Sequence, residues 1–174
     1  MRPLARLVLL LAALAVALAA VWLRPTLEPE VPPLVGQVER ILIEKAARRM
    51  TLWQEGRVVR TYAVTLGFSP VGDKARQGDG RTPEGEFRID RRNDGSRYHL
   101  SLGLDYPQAL HRAAAAAAGI DPGGDIMIHG QPNALPEGLQ LAGDWTAGCI
   151  ALSDAEMDEV WAATDAATVV EIVP

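Results

Sequence analysis

Hydrophobic and polar positions divide the chain into three stretches. Residues 7–23 form an unbroken apolar run of 17 residues. Residues 26–33 (TLEPEVPP) are acidic and proline-rich. From Val38 onward, short apolar runs alternate with clusters of glycine, proline and charge, the rhythm of strands and turns. Within this third stretch, residues 38–43 and 50–54 predict two strands around a polar turn at 45–49. Gln54-Glu55-Gly56-Arg57 predicts a hairpin turn into a third strand at 58–66. Period-two alternation would set Val58, Arg60, Tyr62, Val64 and Leu66 on one face. Residues 67–80, rich in glycine and mixed charge, predict a loop. Residues 86–90 and 98–102 predict strands around a turn at 91–95.

A helix is expected over 107–118. Pro107 suits a first turn, the alanine run has high propensity, and Gly119 can cap the end. Residues 126–128 form a fully apolar strand that runs into His129, and 131–145 reads as a loop. Ser153 with Glu156 three positions later forms a capping box, which opens a second helix running to Ala163. Residues 168–173 supply a closing strand. The pattern alone gives a mainly β domain with two helices.

Charge refines the first two stretches. Arg2 and Arg6 precede the apolar run and Arg24 follows it, with no acidic residue among the first 24. A basic flank before an apolar core is the layout of a signal peptide or a membrane anchor, and either one exports the rest of the chain. Residues 17–19 (ALA) could be a cleavage site, whereas Trp22 suits a membrane interface. Residues 1–24 are therefore expected to be a signal peptide or membrane anchor, 25–37 a proline-rich linker, and 38–174 the folded domain. The expected location is periplasmic or otherwise extracytoplasmic, anchored or secreted. Beyond residue 24 there are 14 basic and 22 acidic side chains. That balance argues against a nucleic-acid partner, which needs a basic face.

The candidate chemistry centres on one thiol. Cys149 is the only cysteine, so it cannot form an internal disulfide. It lies in TAGCIAL (146–152), after a glycine that permits a tight turn, while His129 ends the apolar strand in IMIHG (126–130). A lone cysteine and histidine are more often ordinary core residues. As a functional pair they give a nucleophile, Cys149, and a general acid/base, His129. The thiol is then expected to titrate below its free value. The backbone N–H groups of Gly148 and Cys149 could hold an oxyanion. No zinc-ligand spacing, phosphate loop or dinucleotide fingerprint is present, so neither metal nor cofactor is expected.

Two segments carry a family resemblance. HG followed by a loop and TAGCIAL, with GDGRTPEGEF (78–87) upstream, is similar to the signature of the YkuD-type L,D-transpeptidases. That family reads HG, a loop, then [ST]-H-G-C-[IV]-R-[LM], with GD-x-RTPEG-x-F upstream. The resemblance covers about residues 38–173. It implies a YkuD-like mixed β-sandwich with two helices. It also implies a cysteine acyltransferase acting on peptidoglycan stem peptides through a thioester, with a main-chain carbonyl near Gly130 steering the histidine. The implied acceptor is a stem-peptide amine, a wall-attached protein or water. Two family positions differ here. The histidine before GC is Ala147, and the arginine after GC-I is Ala151. This GC-I-A variant keeps an alternative open, an L,D-carboxypeptidase or amidase hydrolysing diaminopimelate-linked peptides. A wall-binding module with a dead site is a third reading. Arg81, Thr146, Trp145 and Gly130 are the candidate substrate-binding residues. Arg81 is the candidate to replace the missing arginine, and the two alanines are expected to leave a wide, weakly charged pocket beside Cys149.

Overall fold

The computed structural model describes residues 32–174. The expected export segment 1–24 and the first part of the linker lie outside the described residues. Among these residues no helix is long and apolar enough to cross a membrane.

Eight strands form one sheet in the order β3-β2-β1-β8-β4-β5-β6-β7. They are β1 (Arg40–Glu44), β2 (Arg49–Gln54), β3 (Arg57–Ala63), β4 (Gly85–Asn93), β5 (Ser101–Leu104), β6 (Met127–His129), β7 (Ile150–Ala151) and β8 (Val169–Val173). Alternation explains the first wing. Ile41 and Ile43 of β1 pair in parallel with Val170 and Ile172 of β8, and all four are buried. Met50 and Leu52 of β2 lie opposite Ile43 and Ile41 and are fully buried. Side chains two apart share a face, so these pairs stack into one apolar layer with Phe87 and Leu66.

β4 belongs to both wings. Its first half pairs with β8 and its second half with β5, with an irregularity in register between Ile89 and Arg91. An extra residue bends and twists a strand, so the sheet curls at this point. The two ends of the sheet then meet. Thr65, just beyond β3, bridges Ala151 of β7, and Gly67 bridges Thr146. Thr65 and Ala151 exchange backbone hydrogen bonds of 3.0 and 2.9 Å. Among the described residues the result is a mainly β, curled mixed sheet with two helices, as expected.

The helices are α1 (Ala109–Ala118) and α2 (Asp154–Ala163). α2 opens with the predicted capping box, in which Ser153 and Glu156 each bond the other's backbone N–H. α1 starts two residues later than predicted. His111 Nδ1 accepts the Gln108 N–H at its start, and Gly119 ends it in the left-handed conformation.

Other differences have local causes. The β2–β3 register slips at Leu52/Trp53 and skips Val59, so Val59 packs on the core while Val58 is 51% exposed. Residues 91–93 continue β4 instead of turning, because they pair with residues 101–103. β5 starts at Ser101, and β7 is two residues long, too short to leave a periodic trace.

Candidate active site

Two strands bring the histidine and the cysteine to one place. β6 and β7 run parallel, with Ile128 beside Ile150 and His129 beside Ala151. Cys149 immediately precedes β7, so it lies next to Met127 at the start of β6. Cys149 and His129 line a cleft of about 610 Å³ together with Tyr98, Trp145, Asp125 and Asn93.

The imidazole is held in one state. His129 is 4% exposed, and its Nδ1 lies 2.7 Å from the Gly130 carbonyl oxygen. A carbonyl only accepts, so Nδ1 carries the proton and Nε2 keeps its lone pair. Burial pushes the His129 pKa below its ordinary value, and the bond to Gly130 opposes this only in part. The ring is therefore neutral and ready to act as a base. Tyr98 and Trp145 pack around it, with ring centroids 4.7 and 5.6 Å away.

The thiol is half-buried and points at the Asp125 carbonyl oxygen, 3.4 Å from Sγ. Burial pushes the Cys149 pKa up. A hydrogen bond from the Met127 backbone pulls it down, as do the positive charges of Lys74 and Arg91, while Asp125 pushes it up. The net direction is upward, contrary to the expectation of a depressed thiol. Desolvation outweighs the hydrogen bond and the cations together. Resting Cys149 is a thiol, and its activation requires proton transfer to a base.

The nucleophile turn is locked from within. Thr146 Oγ1 donates to the Cys149 carbonyl at 2.7 Å and accepts the Gly148 N–H at 3.1 Å. Thr146 thus braces the turn, and the Gly148 N–H is committed to it. Of the two expected oxyanion donors, the Cys149 N–H is the one with no partner among the described residues. Gly148 has φ 136°, and a Cβ there would stand 2.7 Å from the Arg81 carbonyl oxygen. Only glycine suits both conditions.

That contact gives the upstream motif its role. The 78–85 segment is a backing plate behind the nucleophile turn. A Cβ on Gly67 would stand 2.1 Å from the Gly80 carbonyl oxygen, so these backbones also touch. Two buried lysines, which the polar pattern does not reveal, fix this plate. Lys45 Nζ reaches the Gly72 carbonyl at 2.6 Å, the Thr82 carbonyl at 2.9 Å and Glu84 at 2.7 Å. Lys74 pairs with Asp79 at 2.9 Å. Burial alone would raise the Asp79 pKa. Hydrogen bonds from Arg76, Lys74, Ala75 and Arg81 instead hold it well below the usual carboxylate range.

The remaining candidates fall into two groups. Trp145 lines the cleft, and Gly130 contributes the carbonyl that orients His129. Arg81 donates to the Asp73 carbonyl at 3.1 Å, with its guanidinium directed at the 72–73 loop and not among the cleft-lining groups. Asp144 shapes the neighbouring loop by pairing with Arg48 at 2.7 Å and accepting the Leu66 N–H. The two alanines also part company. Ala147 is exposed in the cleft, whereas Ala151 is 1% exposed within the sheet and widens nothing.

Comparison with known proteins agrees with this geometry. The YkuD L,D-transpeptidase catalytic domain matches residues 38–172. Escherichia coli (strain K12) YafK, which is named as an L,D-transpeptidase, is 26% identical over 134 residues. The match covers 74% of this chain and 48% of YafK, so the chain spans about half the length of that relative. The helical cell shape determining protein Pgp2 from Campylobacter jejuni superposes with a TM-score of 0.58 at 27% identity, over 79% of this chain and 48% of Pgp2. An L,D-transpeptidase from Xylanimonas cellulosilytica shares the fold, with a TM-score of 0.51 at 20% identity, over 89% of this chain and 68% of that one. The chain belongs to the YkuD family of L,D-transpeptidase catalytic domains.

Proposed function

We propose that this domain is an exported cysteine acyltransferase acting on peptidoglycan stem peptides. The observation that carries the reading is the neutral His129, fixed by Gly130 with Nε2 left as a base, in the same cleft as the lone thiol. Nε2 takes the Cys149 proton as Sγ attacks the peptide carbonyl. The carbonyl electron pair moves to oxygen, where the Cys149 N–H receives it. Collapse expels the amine, which takes the proton from His129 and leaves a thioester. An acceptor amine then gives a cross-link or attaches a wall protein.

The domain is the 38–174 unit, carried on the 25–37 linker behind an export segment that is either cleaved or retained as an anchor. Hydrolysis is the second reading. It is favoured by Ala147, a small exposed side chain in the cleft where the family has histidine. Water would then release a free acid. Incubation of the full chain with purified muropeptides and mass analysis of the products tests both. Dimers support transpeptidation, and shortened monomers support hydrolysis. No thioester and no product would reject acyl transfer.

A further inference from the structure

The register of the second wing lays out the cleft floor in two rows. Asn93 of β4 lies beside Ser101 of β5, which lies beside His129 of β6. One row away, Arg91 lies beside Gly103, which lies beside Met127. Asn93, Ser101, Met127 and His129 all line the cleft. Residues two apart on a strand share a face, so Arg91 projects from the same face as Asn93, at the rim and outside the groups that line the cleft.

Gly103 lets Arg91 lie down. A Cβ at position 103 would stand 2.4 Å from Arg91 Cγ and 2.6 Å from its Nε, so the side chain occupies the space a larger residue would take. Lying across β5, Arg91 reaches Asp125 at 2.9 Å, and Asp90 holds its other side at 3.7 Å. Asp125 lines the cleft, its carbonyl accepts the Cys149 thiol, and its carboxylate is 89% exposed. An exposed pair of this kind is worth little as a stabilising contact. It does place a planar two-pronged cation at the rim of the cleft, on the carboxylate of a cleft-lining residue, with a partner that solvent already competes for.

We infer that Arg91 is the substrate-carboxylate receptor of this cleft, with Asp125 as its resting partner. A free carboxylate on the donor peptide, beside the bond that Cys149 attacks, displaces Asp125 and takes the guanidinium in a bidentate pair. Arg91 thereby does what Arg81, turned to the Asp73 carbonyl, does not. The identity of the donor rests on the proposed acyl-transfer reading, whereas the cation at the cleft rim does not.

The test compares alkylation of Cys149 by iodoacetate, which carries a carboxylate, and by neutral iodoacetamide. A change in thiol pKa alters both rates alike, so their ratio reports the local cation. Arg91→Gln should lower the iodoacetate/iodoacetamide ratio roughly three- to tenfold in dilute salt. Asp125→Asn should raise it, and Gly103→Ala, which pushes the guanidinium off its path, should lower it. A ratio unchanged in Arg91→Gln overturns the inference. A second arm supplies a donor peptide with its carboxylate free or amidated. Arg91→Gln should raise KM about tenfold for the free acid only, with kcat little changed. An equal rise for both donors also overturns it. If the alkylation ratio shifts but muropeptides are not processed, the peptidoglycan reading fails while the carboxylate receptor stands.

Discussion

The two wings of the sheet share β4 but differ in strand length and in the polar groups they bury. The β3-β2-β1-β8 wing is an apolar layer. Ile41, Ile43, Met50 and Leu52 are fully buried, and β1 pairs along its whole length with both neighbours. The β5-β6-β7 wing has strands of four, three and two residues. Its interior is also apolar, with Leu102, Leu104, Ile128 and Ile150 fully buried, but it includes Ser101, His129, Gln131 and Thr146 as well. Side chains tie it to backbone. Gln131 donates to the Leu152 carbonyl at 2.6 Å and accepts the Leu141 N–H at 2.9 Å, while Asp154 accepts the Gln131 N–H at 2.7 Å. Full burial of an Ile or Leu contributes about 1.5–3 kcal/mol, and a net hydrogen bond about 0.5–1.5 kcal/mol. Both wings thus draw stability from apolar burial. The second supplies direction, because a hydrogen bond fixes an atom and an apolar contact does not. Mutations in the two wings should therefore separate folding from chemistry.

The largest separation is expected at Cys149. Cys149→Ala should lower turnover by about 10³-fold or more, since the nucleophile is gone. The denaturation midpoint should stay near that of the parent, because the backbone ties of Sγ are only its weak contacts to Asp125 and Met127. Turnover assays and chemical denaturation on the same preparation would check this. Activity retained in the alanine variant would remove Cys149 from the chemistry.

The opposite separation is expected in the first wing. Ile43→Ala leaves a cavity between β2 and β8 and should cost about 2–5 kcal/mol of stability. Activity per folded molecule, measured well below the melting temperature, should be unchanged. A large loss of specific activity would mean that the wings are mechanically coupled.

The same contrast governs how much of the molecule is legible in its sequence. The first wing announces itself, because buried and partly buried positions alternate along β1 and β8. The site is legible only through its motif, because two residues of β7 and three of β6 have no useful period. Lys45 hides in what reads as a polar turn, since a buried lysine is unexpected until three acceptors are found around it. Arg91 falls in a predicted turn, and its role needs the cross-strand register with Gly103. The freedom of Gly148 to turn is visible in the sequence. Its second requirement, the approach of the Arg81 carbonyl, joins segments far apart along the chain.

Gly148→Ala tests that second requirement, and its effect should be intermediate. The new methyl meets backbone, not a flexible side chain, and the positive φ is strained for alanine. The turn must shift, and a displacement near 1 Å costs about 100-fold in rate. Stability should fall by only about 1–3 kcal/mol. Turnover should thus drop far more than the denaturation midpoint suggests, the reverse of Ile43→Ala. Equal losses in the two measurements would mean that the 78–85 plate supports the fold as a whole.

The smallest effect is a pH dependence confined to the second wing. Burial lowers the His129 pKa below 6.5, so the imidazole is neutral at neutral pH. Turnover should be constant from about pH 8 down to about 6.5 and fall only as pH drops through the lowered value. Stability follows the same sign. The folded state resists protonation of His129 more than the unfolded chain does, so stability is fully present above 6.5 and lost as pH falls through the folded pKa. Asp79 and Glu159 act in separate windows, since their lowered pKa values cost stability only below 3.8 and 4.5. Between 6.5 and 4.5 the loss belongs to His129. His129→Gln should flatten denaturation midpoints between those limits while leaving the decline at lower pH. Alkylation of Cys149 should behave oppositely to turnover, rising only above the ordinary thiol range, because burial holds that proton on. A turnover limb that tracked the alkylation curve would mean that the thiolate forms without the histidine, and the second wing would then have no need of its buried base.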